Sequence, residues 1–231
     1  MENLDNKNNN LSSTKSFREI RYEEKKDAII KAAAKAFGRK GFDSATIEEI
    51  ANEIKMTKGS LYYYFKTKEE LLYEAHLLSL KAVIDNITKI NESPDPPDIK
   101  FRNAVIKHIE VLARDYEGAF LLQQEFALPE PYKKEVIALR DLYESQFNKI
   151  IYEGVKTKIF SVKDAKISSF CMLGAINWFL RWYSSPGRLT AQEIGEAFVD
   201  FFSSGLLIRR ENVQGEHHGP ERGFRRRKNN P

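Results

Sequence analysis

The sequence predicts an all-α protein of about nine helices, a small N-terminal three-helix unit followed by a larger helical domain. From about Tyr22 onward apolar residues recur at spacings of three and four, and the period-two alternation of a half-buried strand is absent. Helix starts are also legible: Thr46-x-x-Glu49, Thr67-x-x-Glu70 and Thr190-x-x-Glu193 are capping boxes, and Ser161-x-x-Asp164 is a looser version. In each, a hydroxyl accepts from an otherwise unpaired amide while the acid reaches back to the cap. Proline and glycine gather at a few breaks rather than every ten residues.

In chain order, residues 1–21 are Asn-, Ser- and Lys-rich without periodicity and read as a mobile arm. Helices are expected over about 22–40, 47–54, 58–64, 68–90, 98–115, 116–127, 131–157, 162–183 and 191–209. The first closes at Gly41, behind Arg39 and Lys40, which place cations at its negative end. Three prolines between Asn91 and Asp98 form the clearest break; Ala127 to Pro131 and Ser184 to Gly187 form two others. The boundaries expected are a small N-terminal unit over 22–67, a larger helical domain over 68–209, and a basic tail over 210–231.

The chain of 231 residues carries 37 Lys and Arg against 33 Asp and Glu, a net +4. Seven basic and three acidic residues from Arg209 onward account for that whole excess, so the first 208 residues are neutral. Global basicity is therefore poor evidence for a nucleic-acid partner, and local patterning has to carry the case. The single Cys171 excludes a disulfide framework or a multi-cysteine metal site. No apolar run approaches the ~20 residues needed to span a bilayer, and the N-terminus has no apolar leader core, so a cytoplasmic protein without a membrane partner is expected. No nucleotide-binding, hydrolase or metalloprotease motif is present. No catalytic residue, metal ligand or cofactor is assigned; His76 and His108 stand isolated on helical segments.

The informative segment runs from Lys40 to Lys68. Ile47, Ile50, Ala51 and Ile54 bury one face of a short helix. A three-residue turn follows, and Thr57 caps a third helix whose Leu61 and Phe65 point inward, leaving Lys58, Ser60, Tyr62 and Tyr63 largely outward. Two short helices joined so tightly, braced by a longer one, make a helix-turn-helix. Four lysines and no acid lie between Lys55 and Lys68, although residues 23–70 net only +1. Gly59 and Ser60 allow close backbone approach, and tyrosine hydroxyls donate to phosphates. Amides at the helix starts beside Thr46 and Lys68 suit phosphates as well.

Gly41-Phe42, Thr46-Ile47-x-x-Ile50-Ala51, Met56-Thr57-Lys58-Gly59-Ser60-Leu61-Tyr62-Tyr63-Tyr64-Phe65 and Lys66-x-Lys68-x-x-Leu71 resemble the TetR/AcrR family of bacterial regulators over about residues 22–72. The resemblance implies a homodimer that binds a palindromic operator in double-stranded DNA, with 22–67 as DNA-binding domain and 68–209 as ligand-binding and dimerisation domain. It is expected to be a repressor released by a small hydrophobic effector, the alternative being a DNA-binding protein that acts through a protein partner without an inducer. By the same resemblance Thr46, Tyr64 and Lys68 hold phosphates, while Thr57, Lys58, Gly59, Ser60, Tyr62 and Tyr63 line the groove. One departure stands out: Lys55 occupies the turn position where the family usually has glycine at positive φ. A lysine held there costs about 1 kcal/mol relative to glycine and gains a phosphate contact in exchange.

Helices 162–183 and 191–209 are apolar on more than one face and so must be buried on more than one side, as a four-helix bundle across a two-fold axis provides. The run from Asn177 to Leu189 resembles, more weakly, members of the family that respond to acyl-CoA thioesters. Two readings stand for it. Arg181 and Arg188 pair with a phosphate or carboxylate while Trp178 and Trp182 stack on an adenine or line an acyl channel; or Arg181 snorkels and both tryptophans fill the dimer interface. Aromatics of helices 98–157, among them Phe120, Phe126, Tyr143 and Phe147, suit a pocket for a small hydrophobic effector and equally suit plain core.

Overall fold

Eight α-helices are present among the described residues, which in this computed structural model are 16–114, 119, 127–184 and 187–207. They are α1 (Phe17–Lys40), α2 (Ile47–Glu53), α3 (Lys58–Tyr64), α4 (Lys68–Glu92), α5 (Pro97–Arg114), α6 (Glu130–Lys156), α7 (Ala165–Trp178) and α8 (Ala191–Leu206). Of the expected helix 116–127 only residues 119 and 127 are described, and the N-terminal fifteen residues and the basic tail lie outside the described residues.

The capping boxes at Thr46 and Thr190 form as expected, with hydroxyl and carboxylate both engaged. At Thr67 the hydroxyl caps α4, but Glu70 reaches one residue further and accepts from the Lys66 amide at 2.7 Å. Two boundaries differ from expectation. Helix α1 opens at Phe17 rather than about residue 22, because Ser16 and Glu19 form a further capping box in the segment read as an arm. Helix α7 opens at Ala165 rather than 162. Asp164 is its cap, accepting from the Ile167 amide, whereas the Ser161 amide is committed to the Leu206 carbonyl at 2.7 Å. That helix also ends early, at Trp178, and a 3-10 turn, Phe179–Arg181, buries Phe179 and Leu180.

Two apolar cores organise the packing. The first is built on Ile29, Ala33 and Phe37 of α1, Ile50 and Ala51 of α2, Leu61 and Phe65 around α3, and Leu71, Leu72 and Ala75 of α4. The second joins Val83 and Ile87 of α4, Phe101, Val105 and Ile109 of α5, Phe147, Ile150 and Ile151 of α6, and residues of α7 and α8. Helices α4 and α6 belong to both, since Val136 of α6 packs into the first core while Phe147 packs into the second. A helix shared between two close-packed cores transmits displacement from one to the other, because interiors this dense do not absorb it.

Candidate nucleic-acid interface and ligand cavity

The α2–α3 connection is held by backbone bonds. The Met56 amide donates to the Ala51 carbonyl at 2.8 Å and the Lys55 amide to the Asn52 carbonyl at 3.1 Å. These are the two bonds of a Schellman ending, which places the residue after the helix cap in the left-handed region. That residue is Lys55, at φ +56°. Glycine adopts this conformation without penalty and lysine does not, so Lys55→Gly is expected to raise stability by about 1 kcal/mol in urea unfolding. If Lys55 contacts a phosphate, the same variant lowers the salt dependence of DNA binding by about one ion. An unchanged unfolding midpoint would show that the turn carries no strain.

Thr57 begins α3, its hydroxyl accepting from the Ser60 amide at 3.1 Å. Leu61 and Phe65 are fully buried beneath the helix. The opposite face presents Thr57, Lys58, Gly59 and Ser60, all exposed, with Tyr62 at 38% and Tyr63 at 68% exposure. Tyr64 is half-buried and stacks on Tyr22 of α1, ring centroids 4.9 Å apart, while Tyr63 meets both rings edge-on. Tyr22 thus buttresses the helix from behind, a role its sequence position gives no hint of.

The other residues singled out at this end are engaged locally. The Thr46 hydroxyl accepts from the Glu49 amide, and the Glu49 carboxylate meets Lys40 at 2.6 Å. Lys40 and the Thr46 amide hold that carboxyl below its usual range. Two acids in the first turn of α2 make its start a poorer place for a phosphate than the start of α3, whose first turn has none. Lys66 donates to the Tyr62 carbonyl at the end of α3. The Lys68 ammonium lies 4.3 Å from the centre of the Phe42 ring and donates to the Asp43 carbonyl. Lys55 and Lys58 are exposed.

In the larger domain a cavity of about 690 Å³ opens between α4, α5, α6 and α7. Leu80, Val83, Leu173 and Leu180 give it apolar walls, and Arg140, Asp141, Glu144 and Asn177 add polar groups. His108 and Tyr143 line it from buried positions, the Tyr143 hydroxyl bonded to the His108 Nδ1 and the rings edge-to-face at 5.1 Å. Burial pushes the His108 pKa down to about 4 and the Tyr143 phenol well up, so both are neutral near pH 7.

Of the residues singled out for an effector, Tyr143 alone among those described lines this cavity. Phe147 is buried core against Phe101, rings 6.1 Å apart. Trp178 and Trp182 face outward at 63% and 49% exposure, with the Arg181 guanidinium 5.9 Å from the Trp178 ring, and Arg188 is also exposed. Phe120 and Phe126 lie outside the described residues. Among the cavity residues that sequence reasoning missed, the ionisable His108, Arg140, Asp141 and Glu144 come from two helices, and no local motif joins them. Ile167, Phe170 and Trp178 of α7, Trp182 just beyond it and Phe201 of α8, the last at 77% exposure, are large apolar residues left exposed. Among the described residues no helix is long and apolar enough to cross a membrane, and no cluster of His, Cys, Asp and Glu could hold a metal.

These features define a helix-turn-helix protein with a cavity-bearing helical domain. Residues 29–75 match the model for bacterial regulatory proteins of the tetR family, and residues 94–206 match the tetracyclin repressor-like C-terminal domain. PfmR of Thermus thermophilus, a solved TetR family transcriptional regulator, is 30% identical with a TM-score of 0.71, over 77% of this chain and 97% of that one. The chain belongs to the TetR family. KstR2 of Mycolicibacterium smegmatis, an HTH-type transcriptional repressor, is 22% identical over 84% of this chain and 94% of its own. AibR, solved in complex with isovaleryl coenzyme A and operator DNA, shares the fold at 21% identity and a TM-score of 0.70, over 76% of this chain and 96% of that one. Two uncharacterized HTH-type transcriptional regulators of Bacillus subtilis strain 168 are 32% and 33% identical, but this chain spans 38% of the length of each.

Proposed function

We propose that the protein is a dimeric transcriptional repressor of the cytoplasm, released from a palindromic operator by a small, largely apolar effector. The observation that carries this reading is α3: a helix clamped by Leu61 and Phe65, set on α2 by a backbone-bonded turn, and presenting Thr57, Lys58, Gly59, Ser60, Tyr62 and Tyr63 to solvent. Small and hydroxyl residues beside a cation let the helix enter a major groove and reach base edges, with Lys55, Tyr64, Lys68 and Thr46 at the flanking phosphates. Residues 22–67 form the DNA-binding unit, and 68–209 the domain that binds effector and dimerises. A second copy covers the exposed apolar surface of α7 and α8, which sets two recognition helices about one helical turn apart.

The effector occupies the cavity between α4 and α7. The acyl-CoA thioesters are the candidate class, a reading supported by the isovaleryl coenzyme A complex of AibR and the resemblance around Asn177. Because α4 and α6 belong to both apolar cores, a ligand between them shifts the DNA-binding unit and spoils the fit to both half-sites. The test is fluorescence anisotropy on the DNA flanking its own gene at fixed salt, with and without a panel of CoA thioesters. Competitor-resistant binding weakened by one thioester is the expected result. Binding indifferent to every effector offered would remove induction from the reading, and specific binding to no DNA would remove the repressor.

A further inference from the structure

The chamber between α4, α5, α6 and α7 has two kinds of wall. Its buried lining is Leu80, Val83, Leu173 and Leu180 together with His108 and Tyr143, each less than a tenth exposed. Its rim carries the charges: on α6 Arg140 and Asp141 are exposed and Glu144 is half-buried, and on α7 Asn177 is exposed. Among the described residues, His108 of α5 and Tyr143 of α6 are thus the only polar side chains of the buried lining. The Tyr143 hydroxyl is bonded to the His108 Nδ1, and neither side chain makes another hydrogen bond among the described residues. A neutral imidazole and a phenol hold one N–H and one O–H between them. If the phenol donates, the Nε2 proton is left over; if Nδ1 donates, the phenol proton is. Either way one buried donor has no partner in the described fold, and such a donor needs a reason. Behind the pair, between α4 and α5, the gap is only about 10 Å³, so a partner larger than a water comes from the chamber.

We propose that the His108–Tyr143 pair is the polar anchor of the chamber and donates its one spare proton to an uncharged carbonyl oxygen, that of a thioester, ester or ketone, while the aliphatic part of the ligand lies against Leu80, Val83, Leu173 and Leu180. This rests on the effector reading above and names the group that the site selects. A carbonyl oxygen is satisfied by a single donor. A carboxylate is not. It would give up its hydration in a lining whose one cation among the described residues, Arg140, stands at the exposed rim. Burying that charge costs more than one hydrogen bond returns. Burial keeps imidazole and phenol themselves neutral near pH 7, so neither supplies a counter-charge. Tyr143 stands on α6, which belongs to both apolar cores, and a ligand bonded there bears on the helix that reaches the DNA-binding unit.

The test measures binding of methyl hexyl ketone, octanoyl-CoA and octanoate to the full chain by isothermal titration calorimetry. The wild type is compared with the double variant His108→Leu with Tyr143→Phe, and the Tm of each ligand-free protein is measured alongside. Removing both partners together leaves no orphaned group, so the double variant is expected to fold with a Tm near that of the wild type. At least one carbonyl probe is expected to bind the wild type about tenfold or more tighter than octanoate. In the double variant that preference is expected to fall to about twofold or less, with octanoate binding little changed. A merely structural pair would move the Tm and leave the preference where it was. Tighter binding of octanoyl-CoA points to a thioester carbonyl, and tighter binding of the ketone to a free one. Octanoate binding as tightly as the carbonyl probes overturns the proposal, as does a folded double variant that keeps the wild-type preference. Both outcomes leave the chamber an effector site with a different anchor. Binding of none of the three probes overturns the proposal and removes the effector chamber with it. Should the double variant not fold, the imidazole nitrogen resonances of His108 in the isotope-labelled wild type decide. They are expected to shift on saturation with a carbonyl probe and to shift less with octanoate, and equal shifts overturn the proposal.

Discussion

Replacing Phe65 by alanine is expected to cost about 3–5 kcal/mol, a large share of the ~5–15 kcal/mol that holds a typical domain together. Phe65 closes α3 and is fully buried in the first apolar core, its ring also lying 5.6 Å from the Lys26 ammonium. Truncation leaves a cavity beneath α3 that the surrounding helices cannot fill without moving. Specific DNA binding should be lost with stability, although Phe65 touches no solvent. Lys58→Ala is the control. Lys58 is exposed, so its loss leaves stability within about 0.5 kcal/mol while lowering DNA affinity and reducing the salt dependence by about one ion. Urea unfolding followed by circular dichroism, with anisotropy on the same preparations, separates the two. A Phe65→Ala protein that unfolds like the wild type would show that α3 is not supported from this core.

The second large effect is acid instability above the range where carboxylates titrate. His76 and His108 each fall from an ordinary value of 6.5 to about 4 in the fold, both chiefly through burial. Above the unfolded value neither state binds a proton at these sites, and their contribution to stability is complete. Between about 6.5 and about 4 the unfolded chain takes up protons that the fold refuses, so stability falls as pH falls. Each histidine contributes up to about 1.4 kcal/mol per pH unit across that window. The carboxyls of Glu49 and Glu193 are held low by their capping bonds, so their contribution is lost only at lower pH. Urea unfolding from about pH 7.5 to about pH 4.5 should show a continuous decline, and His76→Phe should halve its slope. A stability that stays flat to about pH 5 would mean that both rings find partners or protons inside the fold.

Much of this was legible in the sequence because helices announce their ends and their buried faces. Thr46, Thr67 and Thr190 mark true starts, and the i, i+4 pair Leu61 and Phe65 correctly divides α3 into a buried side and an exposed one. The departure at Lys55 was visible too, since a turn this short needs a left-handed residue whatever its side chain. The chamber was not legible. Helical period tells which side of a helix is buried and is silent on what that side faces. Phe147 and Tyr143 are four residues apart on one helix, yet one is sealed in core and the other lines the cavity. His108 and Tyr143 are brought together by packing of α5 on α6 across 35 residues of sequence. The tryptophans near Asn177 left two readings open, and both face outward, α7 giving way at Trp178 to a 3-10 turn that buries Phe179 and Leu180 instead.

The most direct test of the central claim is selection of DNA fragments by the purified full chain from a random duplex library at physiological salt. Two copies of α3 held across a two-fold axis should enrich an inverted repeat whose half-sites are centred about one helical turn apart. A pool that stays random, or a single unrepeated half-site, would contradict a dimeric operator-binding repressor.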